Sequence, residues 1–144
     1  LIYTISILPL DEALIASVVA KYSELKDYVY AHRKEGAELE FNGGVVAVNG
    51  TVETNLGLFR AYLCQYLLAH PAISTKDNII VRLLEITPDG APLDIYCFTR
   101  TTDWLAFEAI RTQVVEHVVA TAPDFGLRVF NSTNNGLMQI VSAQ

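Results

Sequence analysis

The tetrapeptide Thr87-Pro88-Asp89-Gly90 constrains the fold of this chain more than any other feature. Proline presets the backbone at the second position of a turn, and glycine takes the conformation that other residues avoid, so the chain reverses here. The runs on either side, 78–86 and 93–99, are rich in β-branched and aromatic residues. Two such runs around a turn predict an antiparallel hairpin.

Other elements follow from apolar spacing. Residues 1–9 alternate closely enough for a first strand, which Pro9 ends. Asp11 then offers an N-cap oxygen, with Leu10 and Ile15 as a hydrophobic staple. The stripe Ile15, Val18, Tyr22, Leu25, Val29 predicts an amphipathic helix reaching about Lys34. Two short β-like runs separated by Asn42-Gly43-Gly44 predict a small hairpin before Thr54. A second helix is expected from Asn55 as N-cap, with Phe59, Tyr62, Leu63, Tyr66 and Leu67 on its apolar face, stopping before Pro71. A third is expected from Thr102 or Asp103 to the residue before Pro123, its core stripe being Trp104, Phe107, Ile110, Val114 and Val118. The run from Gly126 to Phe130 reads as a short last strand.

Setting aside 11–53, the order is strand, helix, strand, strand, helix, strand. That βαββαβ order is the one of a ferredoxin-like α/β sandwich, an α+β fold with helices on one face of an antiparallel sheet. The chain therefore reads as a single domain over 1–144, with 11–53 as a helix-plus-hairpin insertion after the first strand and 131–144 as a C-terminal tail. It opens on Leu1 directly in a strand-like run and is read as part of a longer protein.

Chemistry is hard to find in this pattern. A net charge of −6 without a basic cluster argues against nucleic acid, whose phosphates reward basic surface. Cys64 and Cys97 lack metal-like spacing and read as reduced core thiols. His32, His70 and His117 fall in or at the end of different predicted helices, none three or four residues from another histidine or cysteine, so no metal is expected. Glu38 and Glu40 read as a solvated strand face, and Trp104, Phe107 and Tyr96 as core rather than pocket lining. Asn49 and Asn131 open glycan acceptor patterns that matter only in a secreted chain. With no phosphate loop and no nucleophile elbow, neither an enzyme nor a cofactor is expected.

Three segments together carry a resemblance: "TNLGLFRAYL" from Thr54, "APLDIYCFT" from Ala91 and "DFGLRVF" from Asp124. They resemble the C-terminal cytoplasmic domain of miniconductance mechanosensitive ion channels of the MscS-like superfamily, over about residues 1–130. The residues carrying the likeness include Thr54, Asn55, Gly57, Phe59, Arg60, Tyr96, Phe98, Phe125, Gly126 and Arg128, to which it assigns a structural or assembly role. Thr51 and Val52 depart from the family, where arginines are expected. The resemblance implies a homo-oligomeric cage, heptameric in this superfamily, below a membrane pore that opens under tension and releases solutes on hypo-osmotic stress. It places the domain on the cytoplasmic side of the bacterial inner membrane, joined to it only through transmembrane helices absent from this chain. A small-molecule-binding regulatory domain of the ACT kind shares the element order and is the alternative.

Overall fold

The computed structural model describes residues 6–23, 54–129 and 138–141. Residues 1–5, the predicted continuation of the first helix past Ser23, His32, the predicted 36–53 hairpin with Glu38 and Glu40, and Phe130 lie outside the described residues. The architecture is α+β. Helix α1 spans Glu12–Lys21, α2 Asn55–Ala69 and α3 Trp104–Thr121, followed by a 3₁₀ turn over Ala122–Phe125. Strands β1 (Ile80–Leu83), β2 (Leu93–Tyr96) and β3 (Met138–Val141) form one sheet in that order.

The hairpin is where the turn chemistry puts it. Val81 faces Ile95 and Leu83 faces Leu93 across an antiparallel pair, and Leu84 N–H extends the ladder to the Pro92 carbonyl. At the tip, Thr87 and Gly90 exchange both backbone hydrogen bonds, and Gly90 has φ +140°, a conformation open only to glycine at low cost. Beyond β2, Ile73 bridges Thr99, so the chain entering the hairpin stays paired with the chain leaving it.

The rest of the sheet departs from the expected order. β3 runs parallel to β2, with Leu93 opposite Met138 and Tyr96 opposite Val141, so the sheet is mixed and the segment expected as a tail supplies a strand. Within 6–9 the backbone is not in the sheet. Ser6 is part of a 3₁₀ turn, and Pro9 makes one isolated bridge, to Thr54. In the 126–129 run Gly126 turns left-handed (φ +72°) to close the 3₁₀ turn and only Val129 is a bridge residue, so among the described residues the run adds no strand to the β1-β2-β3 sheet. Helix α1 ends at Lys21 rather than near Lys34, with Tyr22 as C-cap.

Alternation along the hairpin turns Ile79, Val81, Leu93, Ile95 and Cys97 to one face, and all five are buried. They share one core with Ile15 and Val18 of α1, Leu58, Phe59, Leu63 and Leu67 of α2, and Val114 and Val118 of α3. Helix α2 is buried almost all round, as befits a helix with apolar residues on every side. Its sequence leaves little choice, since Leu56, Leu58, Phe59, Ala61, Leu63 and Cys64 cannot share one stripe. Trp104, expected in the core stripe of α3, lies 64% exposed because it begins the helix, nearly three turns before the buried segment around Val114 and Val118. On the opposite sheet face, Arg82 Nε donates to the buried Asp94 carboxylate at 2.9 Å.

Candidate functional site

Two places in the fold bring together residues that local structure alone does not require. The first is a buried joint between the start of α2 and the turn after α3. Thr54, not Asn55, caps α2: its hydroxyl oxygen accepts from Gly57 N–H at 2.9 Å. This frees the Asn55 side chain, 1% exposed, for other work. Its Oδ1 accepts from Leu8 N–H and from Leu56 N–H, both at 2.9 Å, while its Nδ2 donates to the Ser6 carbonyl at 2.8 Å. A fourth bond, Asn55 N–H to the Leu8 carbonyl at 3.0 Å, completes the splice between 6–8 and α2.

From the other side comes the segment after α3. Ser6 Oγ accepts from Arg128 N–H at 3.1 Å, and the position a Cβ would take on Gly126 lies 3.6 Å from Asn55 Nδ2. Phe125 and Phe59 pack with ring centres 5.0 Å apart, and Phe125 also contacts the Tyr22 and Tyr62 rings. Asp124 straps the joint to α1, accepting from Lys21 Nζ at 2.9 Å and Tyr22 OH at 2.7 Å. Those two hydrogen bonds hold its carboxyl below the ordinary value, the Lys21 bond being the larger cause.

The joint thus gathers Thr54, Asn55, Gly57, Phe59, Phe125, Gly126 and Arg128 from two of the three segments singled out in the sequence. The third segment lies elsewhere: Tyr96 and Phe98 meet edge to face at 5.4 Å, half-buried on and beyond β2. Arg60 is half-buried on α2, next in sequence to Phe59.

The second place is a cleft of about 410 Å³ between the end of α2 and the middle of α3, lined by Tyr62, Gln65, Tyr66, Ala69, His70, Pro71 and Gln113. Sequence reasoning missed it as a unit. Its signal was present, because Tyr62, Gln65, Tyr66 and Ala69 recur at helical spacing on one stripe of α2. Behind the cleft, the His117 ring stacks on Tyr66 with centroids 3.9 Å apart and planes 8° from parallel. His117 Nε2 lies 2.6 Å from Tyr62 OH. Burial, then the neighbouring His70, pushes the His117 pKa down, which favours the neutral ring.

His70 has its tautomer set by its partners. Its Nδ1 accepts from Ala72 N–H at 3.1 Å, so the proton sits on Nε2 and is donated to Gln113 Oε1 at 3.0 Å. The two histidines that sequence spacing kept apart therefore meet on one aromatic wall, without a third ligand. Among the described residues no group of three His, Cys, Asp or Glu side chains is placed to hold a metal ion.

Both thiols are free and buried. Burial pushes Cys64 up to about 12, against a smaller opposing pull from Arg60, and Cys97 up to about 11. A polar hollow of about 370 Å³ beside Lys76 and Arg100 is committed to loop structure, since Arg100 Nε donates to the Ile73 carbonyl and Ser74 Oγ to Asp77. Among the described residues no helix is long and apolar enough to cross a membrane.

Fold and site together define an α+β domain with a buried asparagine joint and an aromatic cleft between α2 and α3. No protein-family model matches the chain, and no solved structure matches it.

Proposed function

We propose that this chain is the cytoplasmic cage domain of a membrane-tension-gated ion channel of the miniconductance MscS-like type, working as an assembly module and not as an enzyme. The observation that carries this reading is the Asn55 joint. Two of the three segments that resemble the channel family, about 70 residues apart in sequence, interlock through Asn55, Gly126, Phe59 and Phe125. Such a joint fixes the relative placement of α2 and α3 and does no chemistry of its own. A cage subunit needs that rigidity, because its neighbours must find the same surfaces on every copy.

The fold we propose is a variant of the ferredoxin-like sandwich. In the βαββαβ order the first strand lies parallel beside the second strand of the hairpin. Here Met138–Val141 has that relation to β2. Support for helices on one face comes from the single core shared by α2, α3 and one face of the hairpin. Partners on this reading are copies of the same chain, seven to a ring, with no nucleic acid and no cofactor. On this reading the domain lies on the cytoplasmic side of the inner membrane and is tethered to it through transmembrane helices; among the described residues no helix is long and apolar enough to be one.

Patch-clamp recording tests the reading. Expressed in bacterial spheroplasts lacking their own mechanosensitive channels, the full gene product carrying this chain is expected to give suction-activated currents. Membranes that stay silent up to the lytic tension would overturn it.

A further inference from the structure

We propose that the cleft between α2 and α3 binds a small, neutral, planar nitrogen heterocycle bearing both hydrogen-bond donors and acceptors, of the nucleobase or nicotinamide class. At about 410 Å³ the cleft falls within the range of small-molecule sites. Among the described residues its lining, Tyr62, Gln65, Tyr66, Ala69, His70, Pro71 and Gln113, contains no carboxylate, lysine or arginine. A charged ligand would therefore lose hydration without meeting a counter-charge.

What the cleft does offer is flat surface and unengaged amides. His117 stacks on Tyr66 but does not line the cleft, so it backs the ring from behind and leaves Tyr66 as a supported stacking wall. Because His70 Nε2–H holds Gln113 Oε1, the orientation of that amide is set, and among the described residues nothing accepts from its NH₂ group. The Gln65 amide and the Tyr66 hydroxyl likewise have no partner among the described residues. Amides present donor and acceptor side by side, which matches the edge of a lactam, carboxamide or aminopyrimidine. A purely aliphatic guest of the same size would leave these groups unpaired.

The inference rests on the cleft alone. A silent cleft leaves the channel reading standing, since that reading rests on the Asn55 joint.

Titration of the 144-residue chain with adenine, and separately with nicotinamide, tests it by protein NMR. Saturable shifts are expected at the Gln65 and Gln113 side-chain amides and the Tyr66 ring, with a dissociation constant on the order of 0.1 to 1 mM for guests this small. Gln113 is exposed, so Gln113→Ala keeps the fold, which its unchanged spectrum away from the cleft would verify. That variant is expected to weaken binding about tenfold. The proposal is overturned by no saturable shift with either probe, by unchanged affinity in Gln113→Ala, or by tetramethylammonium or acetate saturating the cleft as readily as the heterocycles.

Discussion

At the scale of single residues, Asn55 is the polar side chain on which the joint depends. Its amide closes three hydrogen bonds in a buried setting. Asn55→Ala leaves two N–H groups and a carbonyl without partners, and should cost about 3 kcal/mol of unfolding free energy in urea titration. A loss below about 1 kcal/mol would mean that water replaces the amide there. His117 gives a second prediction. Its folded pKa is lowered by burial and by His70, so below the ordinary 6.5 the unfolded chain binds more protons than the folded one. Stability present above that value is then lost as pH falls through the folded value. The groups around the ring are Tyr62 and Tyr66 from α2 and His70 at its end. His117→Gln should flatten this slope, while the separate loss from Asp124 begins only below 3.8 and persists in the variant. The buried thiols give a third: Cys64 and Cys97 should resist iodoacetamide at about pH 8 in the folded chain and react once urea unfolds it.

At the scale of elements, local chemistry and tertiary contact divide what the sequence reveals. The hairpin was legible because Pro88 and Gly90 leave few alternatives, and α3 because Asp103 caps it, accepting from Ala106 N–H at 3.0 Å, and Pro123 halts it. The start of α2 was misread by one residue. Thr54 and Asn55 are both good caps, and only the distant partners Ser6 and Leu8 decide which of them is spent elsewhere. Helix α2 also hid its setting, since an apolar stripe was read where burial is nearly complete. Strand β3 was not legible, because four residues, Met138–Val141, are too few for a period and a parallel partner 45 residues away leaves no turn signal. Of the cleft, the α2 stripe could be read, whereas its meeting with Gln113 depends on how α2 and α3 pack. Gly126 tests the joint at this scale. Its φ of +72° makes Gly126→Ala cost about 1 to 2 kcal/mol in conformation, with the added Cβ in ordinary contact with Asn55. Thermal melts should show Gly126→Asn, which tolerates this region better, losing less.

At the scale of the whole molecule, the unassigned feature is apolar surface. Hydrophobic residues make up 51% of the chain, and Leu84 and Ile86 near the hairpin tip and Trp104 and Leu105 at the head of α3 stay exposed. Lateral contact between copies would cover such surface, as a cage requires. Contacts that hold within a tethered ring are weaker in free solution, where the effective concentration of neighbours is lost. The isolated chain should therefore sediment as a monomer or a weak small oligomer. The central claim, that this domain builds a cage by packing against its own copies, is tested most directly by native mass spectrometry of the full gene product in detergent. The account predicts a closed ring of seven identical subunits, and a stable monomer would contradict it.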